Sequence, residues 1–230
     1  MSEPIVIQVP TAPDRLVLLF HGVGGTPENM VPLARRLAAV LPEAAVISVP
    51  GPDRCDMGAG YQWFSVRGIT EENRRDRVTH AMDRFAGTIR ELQRIHRCTP
   101  AQTVLVGFSQ GGIMALESGL LLNAPATHVV SLAGRFVQLP QAAPGSTVFN
   151  LLHGARDGVI DPALSTAAAR QLAHLSAAVT FDLIRNLGHG INEEMIEAVI
   201  GRMKALPVQN HVDGRASDQG RAMSAIASKG

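Results

Sequence analysis

The pentapeptide Gly107-Phe108-Ser109-Gln110-Gly111 sets a hydroxyl between two residues without side chains. It follows the apolar, β-branched run Thr103–Val106 and leads into a helix-compatible stretch, Ile113 to Leu122. A serine at such a strand-to-helix turn is lifted above the sheet edge, where it can serve as a nucleophile. The glycines let strand and helix close around it. The amide of Gln110 then lies at a helix N-terminus, where an unpaired N–H can meet developing negative charge.

Nucleophilic chemistry needs a base for the hydroxyl proton and an acid to orient the base. On this kind of sheet both follow the serine, acid before base, each beyond the C-terminal end of a strand. The run Val148–His153 leads into Gly154-Ala155-Arg156-Asp157-Gly158-Val159-Ile160-Asp161-Pro162, which offers two acids. Asp161 precedes a proline and an alanine-rich helical stretch, a position that suits an N-cap. Asp157 has no such duty and is the favoured acid, with Asp161 its rival. The base is expected at His189, flanked by Gly188 and Gly190 in the loop after Val179–Ile184. The other histidines have plainer places. His80, His96 and His174 fall in helical stretches and His128 starts a strand. His21 and His153 end strands, where an imidazole can hydrogen-bond a loop. A second amide for an oxyanion is expected from Val23, in His21-Gly22-Val23-Gly24-Gly25 after the run Leu16–Phe20. This loop is not a phosphate cradle, because Gly-Lys-Ser/Thr and Gly-x-Gly-x-x-Gly are both missing.

The elements that must position these residues show in the apolar pattern. β-rich runs recur at Ile5–Val9, Leu16–Phe20, Ala45–Val49, Thr103–Phe108, Val129–Ala133, Val148–His153 and Val179–Ile184. Helical patterns occupy 28–41, 71–97, 111–122, 163–176 and 193–206. Strand–helix alternation predicts an α/β fold, a mostly parallel sheet covered on both faces. In 71–97, Val78, Met82, Phe85, Ile89, Leu92 and Ile95 recur at helical spacing behind Thr70, a suitable N-cap. That segment also carries seven arginines against five acids, which reads as a solvated face rather than a nucleic-acid surface.

At 230 residues, 46% hydrophobic and net charge +1, the chain fits one domain, expected over 1–206. The pattern fades at Pro207, and 207–230 is expected to be a mobile tail. No apolar stretch is long enough for stable membrane insertion. The N-terminus lacks the basic and apolar regions of a signal peptide. Two cysteines, Cys55 and Cys98, make no disulfide framework, so a reducing cytoplasm is expected. No metal-ligand pair stands at helical spacing, and no cofactor is expected.

Taken together, His21-Gly22-Val23-Gly24, the segment Gly60-Tyr61-Gln62-Trp63-Phe64-Ser65-Val66, the Ser109 motif, His153-Gly154 with Asp157, and Gly188-His189 resemble one family. It comprises the small carboxylesterases of the α/β-hydrolase fold, akin to acyl-protein thioesterases and bacterial lysophospholipase-like esterases. The resemblance spans roughly residues 14–205. It implies a sheet of about seven strands. It implies Ser109 as nucleophile, Asp157 as acid, His189 as base, and the amides of Val23 and Gln110 as the oxyanion hole. The implied substrate is a small ester of short to medium acyl chain, with thioesters and lysophospholipids as further candidates. Val23 stands where thioesterases often have leucine, a change that leaves an amide untouched. The loop 50–69 departs from the acyl-protein thioesterase version. Its Trp63 and Phe64 either wall an acyl groove or anchor the loop on the sheet edge. A non-catalytic ligand receptor on the same fold is the alternative function.

Overall fold

The computed structural model describes residues 3–206, and the tail expected at 207–230 lies outside the described residues. The elements run β1 (Ile5–Gln8), β2 (Arg15–Phe20), α1 (Val31–Val40), β3 (Ala44–Val49), β4 (Asp53–Arg54), β5 (Tyr61–Gln62) and α2 (Glu71–His96). They continue with β6 (Thr103–Phe108), α3 (Gln110–Ser118), β7 (His128–Leu132), β8 (Val148–Gly154), α4 (Pro162–His174), β9 (Val179–Ile184) and α5 (Glu193–Lys204). Across the main sheet the order is β1-β3-β2-β6-β7-β8-β9; β1 is antiparallel to β3 and every other pair is parallel.

The central strands read as unbroken apolar runs because they serve two cores. Successive side chains of a strand point to opposite faces. On β2, Leu16, Leu18 and Phe20 join the core under α2, α3 and α4, with Met82, Phe85, Ile113 and Leu172. Val17 and Leu19 join the core under α1 and α5, with Leu37, Met195 and Val199. All five β2 residues have no exposed surface. Thr70 does cap α2: its Oγ1 accepts from the Asn73 amide, and Asn73 Oδ1 accepts from the Thr70 amide.

Three local features differ from the pattern-based expectation. The helix expected from residue 28 opens with a 3₁₀ turn, Pro27–Met30, before α1 begins at Val31. The helix expected to reach Leu122 ends at Ser118, and Leu122 is fully exposed. β4 and β5 form a two-stranded ribbon too short to show periodicity. The connection between the parallel strands β7 and β8 contains no helix, in keeping with the lack of a helical pattern there, although such crossovers usually carry one.

The loops that follow β2, β3, β6, β7, β8 and β9 all leave from the C-terminal edge of the parallel strands, where open α/β sheets place their sites. No helix among the described residues is long and apolar enough to cross a membrane.

Candidate active site

Ser109 lies between β6 and α3 with φ 52° and ψ −114°. A residue bearing a β-carbon pays about 1–3 kcal/mol for such a conformation. The surroundings enforce it. The Ser109 amide donates to Leu132 O at 2.8 Å, and Ser109 O accepts from the Ile113 amide at 2.9 Å. A β-carbon on Gly107 would lie 2.3 Å from Gly111 O, and one on Gly111 would lie 2.4 Å from Phe20 O. Strand, turn and helix therefore pack backbone to backbone, and only glycine fits at either position.

The loops after β8 and β9 bring Asp157 and His189 to this hydroxyl. His189 Nδ1 donates to Asp157 Oδ2 at 2.7 Å, and Ser109 Oγ donates to His189 Nε2 at 2.8 Å. With its Nδ1 proton committed to the carboxylate, the imidazole presents a lone pair to the serine. Asp161 takes no part. It caps α4, accepting from the Ala163 amide at 2.8 Å.

The Asp157 side chain has no exposed surface. Burial pushes its carboxyl up, but bonds from His189 and from the amides of Ile160 and Val159 outweigh this and hold it below the usual carboxylate value. Oδ1 accepts from Val159 N at 2.8 Å and from Ile160 N at 3.0 Å. Oδ2 has a further neighbour that the sequence analysis assigned only to loop bonding: His153 Nε2 at 3.0 Å. His153 is fully buried, and burial lowers its pKa despite the nearby carboxylate. Its Nε2 faces two acceptors, Asp157 Oδ2 and Ile160 O, so that nitrogen carries the proton of the neutral ring. Ser165 Oγ, 2.7 Å from Nδ1, then donates to the ring. The four-residue spacing from His153 to Asp157 at a strand end was the available signal.

Among the described residues, no acceptor takes the N–H of Val23 or of Gln110. Both residues line a cleft of about 370 Å³ with Ser109, Phe64, Ile113 and Leu164. Two free amides beside a nucleophile can stabilise an oxyanion.

Of the two aromatic residues offered as groove walls, Phe64 lines this cleft and Trp63 does not. Trp63 is the loop anchor. It is buried edge-on against Phe20 and Phe85, and its Nε1 donates to His21 O at 2.8 Å. It lines a separate hollow with Pro52 and Arg84. An indole N–H that finds a buried acceptor holds its ring down. The Gln110 side chain completes the anchor and was missed. Its Oε1 accepts from the Trp63 amide at 2.8 Å, and its Nε2 donates to Phe64 O at 2.7 Å. Arg74 and Arg135 also line the cleft; the former was read as part of a solvated face, the latter drew no notice.

The phospholipase/carboxylesterase family model matches residues 1–206. The chain is 38% identical to esterase YpfH of Escherichia coli K12 over 92% of this chain and 91% of that protein. It is 23% identical to acyl-protein thioesterase 1 of Neurospora crassa, covering 85% and 88%. The structure of esterase PE8 superposes with a TM-score of 0.79 at 23% identity, covering 88% of this chain and 97% of that one. The sheet order and the course of the chain are those of the α/β-hydrolase fold, and with the matched family model and the relative at 38% identity they mean that this chain belongs to the phospholipase/carboxylesterase family.

Proposed function

We propose that this protein hydrolyses carboxylic esters of short to medium acyl chain through an acyl-enzyme on Ser109. The observation that carries the reading is the unbroken hydrogen-bond path from Asp157 through His189 to Ser109 at the floor of an open cleft. His189 Nε2 takes the hydroxyl proton as Ser109 Oγ bonds to the ester carbon. The carbonyl oxygen becomes an oxyanion that accepts from the amides of Val23 and Gln110. As the tetrahedral species collapses, the C–O bond to the alcohol breaks, and His189 returns the proton to the departing oxygen. Water then repeats the sequence, with His189 as base, and releases the acid and the free serine. Asp157 remains ionised and steadies the imidazolium in each half. A thioester would follow the same course with sulfur as the leaving atom. A non-catalytic receptor has no use for such a proton path.

Several features support the size class. The apolar side of the cleft is short and open, formed by Phe64, Ile113, Ile160 and Leu164 with the exposed Val159. Each buried methylene contributes up to about 0.8 kcal/mol, so specificity should climb with chain length only until the wall is covered. We take 1–206 as one catalytic domain and place it in a reducing cytoplasm, in keeping with two unpaired cysteines. The test is labelling by a fluorophosphonate together with a chain-length series of 4-nitrophenyl esters. Labelling at Ser109 and a plateau at short to medium esters are expected. No labelling would overturn the hydrolase reading. A steady rise into long lipids, with a jump above the micelle concentration, would overturn the size class.

A further inference from the structure

The cleft that holds Ser109 is apolar on only part of its wall. Its charged lining is Glu71, Arg74, Arg135 and Asp161. The two arginines are mostly covered, with side-chain exposures of 19% and 14%, whereas Glu71 is 62% exposed. Arg135 comes from the helix-free connection after β7. Its Nε donates to Phe136 O at 3.1 Å, which orients the guanidinium. Both terminal nitrogens then hold the Glu71 carboxylate, Nη1 to Oε1 at 3.2 Å and Nη2 to Oε2 at 2.8 Å. This is the paired fork that planar carboxylates accept from arginine. Arg74 Nη2 adds a bond to Oε1 at 2.9 Å.

One carboxylate thus answers two guanidiniums, so the trio itself is positive, while Asp161 elsewhere on the lining balances the charge of the cleft as a whole. The partners differ in how firmly they are placed. Arg135 is covered and tied to the main chain. Glu71 stands at the first turn of α2 with most of its side chain in water. Glu71 can therefore turn out into solvent when another anion takes over its charge in the fork. Among the described residues Asp161 makes no ion pair with either arginine, and its Oδ1 holds the α4 cap.

We propose that Arg135 and Arg74 form a carboxylate-binding subsite of the Ser109 cleft, that Glu71 fills it in the empty enzyme, and that the preferred esters carry a free carboxylate beside the scissile bond. The inference rests on the ester-hydrolase reading and narrows its substrate class. A cleft of about 370 Å³ is of the size that holds one small molecule, so one substrate can reach both the serine and the fork.

The experiment compares kcat/KM for two matched pairs. Mono-4-nitrophenyl glutarate against 4-nitrophenyl pentanoate puts the charge on the acyl side. 3-(Butanoyloxy)benzoate against phenyl butanoate puts it on the alcohol side. In one pair the wild type should favour the anionic ester by about tenfold or more, the effect of one charge-assisted pair. Arg135→Gln should shrink that ratio by about tenfold. Glu71→Gln, which removes the resident carboxylate, should raise it. An ion pair that merely braces the fold cannot move the ratio in opposite directions. Should Arg135→Gln fail to fold, Arg74→Gln and inhibition of the wild type by free glutarate, with butan-1-ol as the neutral control, read the same subsite. Equal cleavage within both pairs, or a lower ratio in Glu71→Gln, would overturn the subsite while leaving the hydrolase reading intact. No turnover of any ester, neutral or charged, would overturn both.

Discussion

The floor and the rim of the cleft are held by different kinds of bond. At the floor the main chain does the positioning. The acid loop is tied to β9 and to the base loop by Ala155 N to Ile184 O and Arg156 N to Leu187 O, each 2.8 Å. The serine turn is fixed by glycine clearances and by its bond to Leu132 O. At the rim the ties are side chains: the Gln110 amide holding Trp63 and Phe64, and Glu71 joining two arginines. Backbone contacts survive most changes of residue type, whereas side-chain ties can be exchanged one at a time. The fold therefore separates what must stay constant for chemistry from what can vary with substrate.

That contrast can be broken first at the floor. Ser109→Ala removes one oxygen from a turn that the backbone already fixes. Activity should fall at least about a thousandfold with the melting temperature nearly unchanged, because members of such a set act as a unit. More than a tenth of the wild-type rate would remove Ser109 as nucleophile. Asp157→Asn should cost two to four orders of magnitude in kcat, roughly, by presenting the wrong hydrogen-bond pattern to His189. Asp161→Asn should be mild, since asparagine caps a helix about as well as aspartate. The reverse ranking would move the acid role to Asp161.

A change at the loop anchor should act on stability instead. Trp63→Ala empties a buried site between Phe20 and Phe85 and should lower stability by about 3–5 kcal/mol in denaturant titration. The chain-length profile should keep its shape. A flattened profile would return Trp63 to the groove wall.

The smallest effect concerns His153, a positioning residue that acts through Asp157. His153→Ala should lower kcat by about tenfold, and His153→Gln should restore part of it by offering an N–H to the same oxygen. The ring also sets a pH signature. Folding holds it neutral, while the unfolded chain protonates an imidazole below about pH 6.5. Its contribution to stability is therefore full above that pH and is lost as the pH falls toward the folded value. Asp157, whose folded pKa is depressed, keeps its contribution until the pH drops below the usual carboxylate range, about 4. Melting temperature measured from pH 8 to 5 should decline less steeply in His153→Gln than in the wild type. Equal slopes would show that the ring carries no proton linkage.

The sheet was legible because burial on both faces leaves a run such as Leu16–Phe20 no alternative to unbroken apolarity. The residues now found together, Ser109, Asp157 and His189, were legible because each sits within two residues of a glycine at a turn that ends a strand. The β4–β5 ribbon was not, since two residues per strand carry no period. Nor was the place of Arg135 at the cleft, because the helix-free connection after β7 carries no periodic mark. Trp63 and Phe64 are neighbours of similar type. Gln110 ties the main chain of both, yet Trp63 packs on Phe20 and Phe85 while Phe64 lines the cleft, a difference that their residue types do not encode.

What the sequence by itself determined is local: which runs extend, which coil, and which turns admit only glycine. These follow from hydrophobic period and backbone sterics over a few residues. Tertiary structure alone decided which distant side chains share a carboxylate. His153 and Arg74 stand four and three residues from the carboxylates they touch, but His189 reaches Asp157, and Arg135 reaches Glu71, only because separate elements end at one edge of a twisted sheet. Such encounters depend on the direction of each strand and the face of each helix, and no short stretch of sequence encodes either.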